Sequence, residues 1–302
     1  MKVWQLRPED EATFSTILPV DDANAHRKQP WLLHCLDVNA MNFCSFAMCK
    51  ADMNSDESIL IAVPAVKDTE IDVFELPSEK RIHRVPALPA QTGMAMALSI
   101  FTRESTLYLI VGYEGGHTAV HRYNGLNKEW TIDYACQAHT QPVLSLDICL
   151  AERCYFTSGA DDAIIRHPLS FTEDPSIENI SVCDTPEKAM HTKHSGQQAL
   201  QVRSDTRIFA TAGWDSRIRV YSVKTMKELA VLKWHKEGCY ATAFANVSDE
   251  RAIVTSEDKG EEERRLVRTA QQRREQKVKE VHWLAAGSVS YTHLTLPTIL
   301  RV

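Results

Sequence analysis

The stretch Ile208 to Ser222 constrains this chain more than any other feature. An apolar run, Ile208-Phe209-Ala210-Thr211-Ala212, enters a tight turn at Gly213-Trp214-Asp215. A second run, Arg217-Ile218-Arg219-Val220-Tyr221, leaves it. In that second run Ile218 and Val220 alternate with Arg217, Arg219 and Tyr221, the two-residue period of a β-strand. A short carboxylate in the turn can accept backbone N–H groups and hold a nearby imidazole.

The unit recurs. Further copies read Leu107 to Tyr123, with Gly112 at the turn, and Cys154 to His167, with Gly159 and Asp161. Another begins at His282-Trp283-Leu284-Ala285-Ala286-Gly287-Ser288, and a looser one covers 59–76. A histidine and a second strand precede four of the five copies: His34, His139, His194 and His235. His139 stands 22 residues before Asp161 and His194 stands 21 before Asp215, which predicts two His–Asp pairs. Glycines 112, 159 and 213 are spaced by 47 and 54 residues. Four-stranded propeller blades repeat at about 40–45 residues, with loops accounting for the excess. The expected fold is therefore an all-β propeller. Its blades fall near 31–76, 92–134, 139–169, 194–232 and 235–288, with insertions at 7–30, 170–193 and 246–281. A catalytic dyad would occur once, beside a nucleophile. These residues recur, so His139, Asp161, His194, Gly213, Trp214, Asp215 and His235 read as blade-turn structure. In the copy at 107–123, Gly115 occupies the Asp position, and that His–Asp bond is expected to be lost.

The rest of the chain excludes more than it adds. A net charge of −6 over 302 residues gives no general pull toward nucleic acid or acidic membranes. No 18-residue apolar run is present. The eight cysteines form no C-x-x-C pair and read as buried thiols of a reducing compartment. Motifs for phosphate loops, zinc proteases and serine hydrolases are missing, so no catalytic, cofactor or metal residue is assigned. Met41, Met48, Met94 and Met96 read as core, as do Trp31 and Trp234. Between Glu257 and Glu280, 15 of 24 residues are charged, a solvated arm with no aromatics for stacking nucleic acid.

The chain resembles the WD-repeat family and, within it, the ASTRA-associated protein 1 family, fungal relatives of the vertebrate G-protein β-subunit-like protein. The resemblance is carried by Val3-Trp4-Gln5-Leu6-Arg7, Gln29-Pro30-Trp31-Leu32-Leu33-His34 and Val38-Asn39-Ala40-Met41-Asn42-Phe43-Cys44. Phe74-Glu75-Leu76-Pro77-Ser78, Val111 to Gly116, Ala210 to Asp215 with Arg217 to Val220, and His282 to Ser288 complete it. It spans roughly 2–288 and implies a seven-bladed propeller, of which this chain would supply about five blades in an open arc. Residues 2–6 read as the last strand of an earlier blade. Residues 289–302 read as a non-native tail, because 289–298 back-translate to one frame of a transposon-type sequencing adapter.

The resemblance further implies a non-catalytic interaction scaffold, a subunit of the ASTRA assembly linked to chromatin remodelling. Its partners would be kinase-maturation co-chaperones, RuvB-like AAA+ ATPases and a phosphatidylinositol-3-kinase-like kinase. Localisation would be nuclear, with the cytoplasm second, and no cofactor, membrane or direct nucleic-acid contact is expected. A generic Gβ-like or histone-binding WD-repeat adaptor is the alternative, and it would need an acidic pocket at the channel mouth.

Overall fold

The computed structural model describes residues 1–7, 9, 30–39, 43–52, 55–171, 184–245, 247 and 282–289. The charged stretch 257–280, most of insertion 7–30 and all of the tail beyond Val289 lie outside these residues.

The described chain is built from antiparallel sheets in sequence order. A two-stranded sheet joins β1 (Lys2–Gln5) to β2 (Trp31–Cys35). Four four-stranded sheets follow. The first holds β3 (Ala47–Asp52), β4 (Ser55–Pro64), β5 (Ile71–Leu76) and β6 (Lys80–Val85). The next holds β7 (Ala95–Arg103), β8 (Thr106–Tyr113), β9 (His117–Asn124) and β10 (Glu129–Gln137). Then come β11 (Val143–Cys149), β12 (Cys154–Gly159), β13 (Ala163–Pro168) and β14 (Lys188–His191). The last of the four holds β15 (Gln197–Val202), β16 (Ile208–Gly213), β17 (Ile218–Ser222) and β18 (Glu228–Leu232). A final two-stranded sheet pairs β19 (Cys239–Phe244) with β20 (Leu284–Ser288).

Each sheet hydrogen-bonds its strands in simple up-and-down order, and the leading strands β3, β7, β11, β15 and β19 lie against one another in turn. Every core cluster forms between consecutive sheets. Val73, Leu98, Leu109 and Val111 fill the space between the second and third sheets. Val120, Tyr134, Leu146 and Tyr155 fill the next, and Phe156, Ile164, Phe209 and Tyr221 the one after. Among the described residues no core cluster joins the first sheet to the sixth.

This packing explains the sequence pattern. The second strand of a sheet has strands on both edges and sheets on both faces, so β12 and β16 are buried at every residue. Such a strand reads as a continuous apolar run rather than an alternation. The fourth strand has a free edge, so β6 and β14 are largely exposed and β18 is exposed or half-buried throughout. Two glycines set the close approach of neighbouring sheets. A Cβ on Gly116 (φ +78°) would lie 2.1 Å from the His139 carbonyl oxygen, and one on Gly196 (φ +77°) would lie 2.1 Å from the Trp214 ring.

Some expected boundaries move. The blade placed near 31–76 runs instead over 47–85, because β4 takes β3 as its partner while Trp31–Cys35 pairs back onto Lys2–Gln5. The alternation in β3 drives this, since Ala47, Cys49 and Ala51 pack on the neighbouring core. The segment 170–193, read as a surface loop, supplies the fourth strand β14, which pairs along β13. Three core assignments are corrected. Trp31 is 71% exposed, Trp234 75% and Met48 62%. The first sits on a strand of the two-stranded sheet, the second in a connection between sheets, and Met48 on the face of β3 opposite the one that carries Cys49 into the neighbouring core.

Candidate functional site

The β12–β13 turn carries a chain of side-chain hydrogen bonds that crosses from one sheet to the next. Asp161 Oδ1 lies 2.9 Å from His139 Nδ1 and accepts from the Ala163 amide at 3.1 Å, while Oδ2 accepts from the Thr140 amide at 2.9 Å. His139 Nε2 lies 2.8 Å from Thr157 Oγ1, which lies 2.9 Å from His167 Nε2. His167 Nδ1 then meets the Tyr134 hydroxyl of β10 at 2.8 Å. One proton order satisfies every link: Tyr134 donates to His167, His167 to Thr157, Thr157 to His139, and His139 to Asp161. Burial holds the His167 ring well below the usual imidazole range, which keeps it neutral as that order requires. Burial alone would raise the Asp161 carboxyl, but the His139 ring and the two amides outweigh it and hold the group low. His139 is 2% exposed, so the pair is enclosed within the frame.

The β16–β17 turn solves the same problem differently. Asp215 is gripped by both terminal nitrogens of Arg219, at 3.0 and 2.5 Å. Burial would raise its carboxyl, and Arg219 first, then His194, draw it below the normal range. His194 stays outside, its Nδ1 3.6 Å from Asp215 and its side chain 46% exposed. The predicted His194–Asp215 bond is thus a loose ion contact. The reason lies one strand over, where register places Arg219 opposite Thr211, the position that Ile165 holds opposite Thr157. Gln197 takes the interior place, accepting from Thr211 at 2.7 Å and donating to the His194 carbonyl at 3.0 Å.

Other turn histidines also differ from the pattern. His34 meets Glu79 at 2.9 Å, on the β5–β6 turn, and His235 is buried ahead of β19. At the Gly115 turn, where no Asp is present, the Gly115 amide donates to the Thr92 carbonyl at 2.7 Å.

The β8–β9, β12–β13 and β16–β17 turns and the connections between sheets share one end of the molecule, while the β5–β6 turn that carries Glu79 lies at the other. The Trp214 amide donates to Gly196, and the Ser216 hydroxyl to the Lys236 carbonyl at 3.0 Å. Trp214 lies across Gly196, 43% exposed, with its indole N–H on Gln198 Oε1 at 2.9 Å. Trp234 and Tyr240 are exposed on the connection that follows and at the start of β19. Below this rim the leading strands are stapled by side chain to backbone. The Leu200 amide donates to Ser145 at 3.0 Å, the Val202 amide to Asp147 at 2.7 Å and the Phe244 amide to Gln201 at 2.6 Å. Thr157, His167, Tyr134 and Gln197 were not singled out from the sequence, and Arg219 was read only as part of a strand's alternation. Tyr134 belongs to a different repeat, and only the fold brings it to His167.

A protein from Verticillium alfalfae named ASTRA-associated protein 1 is 44% identical over 296 residues, which cover 95% of this chain and 72% of that protein. The chain belongs to the ASTRA-associated protein 1 family. Relatives of the same name from Penicillium rubens and Aspergillus niger are 42% and 41% identical, again over 95% of this chain and over 77% of each of them. No family model matches the chain. The crystal structure of the WD40 β-propeller domain of Doa1 is similar at 21% identity with a TM-score of 0.46, covering 64% of this chain and 56% of that one. Membership of the ASTRA-associated protein 1 family and the blade-like sheets agree on a WD-repeat propeller.

Proposed function

We propose that the chain is a non-catalytic interaction scaffold, a subunit of the ASTRA assembly. The observation that carries this reading is the 44% identity to a protein named ASTRA-associated protein 1 along 95% of the chain. The geometry supports a binding role: a rigid stack of sheets presents Trp214, Trp234 and Tyr240 at one rim. Exposed aromatic anchors on a pre-organised frame supply binding energy at small entropic cost. The His–Asp turn at Asp161 is enclosed and serves the frame.

In this reading the partners are kinase-maturation co-chaperones, RuvB-like AAA+ ATPases and a phosphatidylinositol-3-kinase-like kinase. The assembly works in chromatin remodelling and kinase maturation, and the protein resides in the nucleus. Affinity purification of the tagged chain from a fungal host, followed by mass spectrometry, tests it. Enrichment of the co-chaperones and the AAA+ ATPases is expected. Their absence from a preparation that still holds folded bait overturns the assignment. Fluorescence microscopy of the same tagged protein checks the nuclear location.

A further inference from the structure

Along the leading strands lies a cavity of about 450 Å³, walled by β7, β11, β15 and β19 and by the residues preceding β3. That volume falls within the range of small-ligand sites, about 300–1,000 Å³. Phe43 and Tyr240 line it and stay 78% and 47% exposed, so aromatic rings border an otherwise polar space. Ser145, Gln198 and Thr242 add hydroxyl and amide groups. The buried Thr242 hydroxyl has no hydrogen-bond partner among the described residues.

Among the described residues Asp147 is the single charged one in this wall. Its carboxylate accepts two backbone amides, Ile148 at 2.8 Å and Val202 at 2.7 Å, and it forms no ion pair among the described residues. Every other enclosed carboxylate discussed above has a cationic or imidazole partner: Asp161 has His139, and Asp215 has Arg219. Burial pushes the Asp147 carboxyl up to about 6, with the two amides pulling against it. An enclosed, uncompensated anion beside aromatic rings favours a cation, through charge pairing and ring-face attraction.

We propose that this cavity receives an arginine or lysine side chain from an extended segment of a partner protein. The inference rests on the scaffold reading and adds the surface and the chemistry of recognition. In the complex the cation pairs with Asp147 while Tyr240 and Phe43 cover its alkyl stem.

Fluorescence anisotropy with the whole chain tests it. The probes are labelled alanine heptapeptides with a central arginine, lysine or glutamine. The cationic peptides are expected to bind about tenfold or more tightly than the glutamine peptide at low salt. Asp147→Asn should bring them to the glutamine level, whereas Asp162→Asn, at a half-buried acid of the β12–β13 turn outside the cavity wall, should leave them unchanged. Thr242→Lys places a fixed cation in the cavity and should abolish binding, which decides the matter if Asp147→Asn melts early. Equal binding of the glutamine peptide, no binding up to about 1 mM, or full affinity in a folded Asp147→Asn or Thr242→Lys protein overturns the proposal. Copurification reads the assembly and this assay reads the cavity, so either reading can fail alone.

Discussion

The sheets β11–β14 and β15–β18 have the same strand order and the same buried second strand, yet their polar interiors are wired differently. In the first, Asp161 binds His139 and begins a chain that ends on the neighbouring sheet at Tyr134. In the second, Asp215 binds Arg219 and His194 is left at the surface. The better-formed sequence motif, Gly213-Trp214-Asp215, therefore belongs to the sheet without the buried histidine bond. The residue facing the buried threonine and the one filling the interior place, Gln197, separate the two solutions. Where Ile165 faces Thr157, the carboxylate takes an imidazole as its side-chain partner. Where Arg219 faces Thr211, a forked, permanently charged donor wins.

The sharpest way to break this comparison is the matched pair Thr157→Val and Thr211→Val. In the first sheet the change strands two enclosed imidazoles, His139 and His167, and should cost about 2–4 kcal/mol. In the second it strands one amide oxygen, that of Gln197, and should cost about 1–2 kcal/mol. Urea midpoints of the two variants measure this. Equal losses would mean that the chain through Thr157 is no more than its separate bonds.

A third sheet sharpens the point through pH. His121 sits opposite Leu109, the register place that His167 holds opposite Tyr155, but both its ring nitrogens are buried without partners. Burial lowers its pKa to about 4. The folded state keeps this ring neutral while the unfolded chain protonates near 6.5, so the unfolded state binds more protons between those values. Stability should therefore fall as pH drops from about 6.5 toward 4, by roughly 2 kcal/mol at pH 5 from this group. His121→Phe should remove that share of the loss, seen as a smaller gap between melting temperatures at pH 7 and pH 5. An unchanged gap would show that the ring finds a partner in solution.

Smaller effects follow at the Asp215 turn. Arg219→Ile gives the second sheet the residue of the first. The carboxylate is about one-third exposed, so water offsets part of the lost pair and about 1–2 kcal/mol is expected. The freed carboxylate should then draw in His194, seen as new NMR contacts between the imidazole and the turn. His194→Ala in the parent should cost less than about 0.5 kcal/mol, because the side chain is exposed and the contact is long. A loss comparable to that of His139→Ala would show that the two histidines do the same work after all.

Much of the fold could be read from residue order. The apolar runs at 107–113, 154–159 and 208–213 marked second strands, and the glycines after them marked turns. The strand at Lys188–His191 escaped because its Lys-Ala-Met-His sequence sits on an open edge, where one face and one set of backbone groups meet water. Trp31 and Trp234 were misjudged for a related reason: residue type favours burial, but position in a stack of sheets decides it. The family's name for its complex could be inferred from matching segments, whereas the rim and the cavity wall could not.

The sequence by itself determined the repeat, the β period, the turn residues and the family, because each is a local or periodic property of the chain. Only the tertiary structure decided which partner each turn aspartate takes and that Asp147, among the described residues, has backbone amides but no ion pair. Those outcomes depend on what register sets across from a residue and on which sheet packs over it. His139 and His194 look alike in the sequence; Ile165 and Arg219, one strand away, make them different.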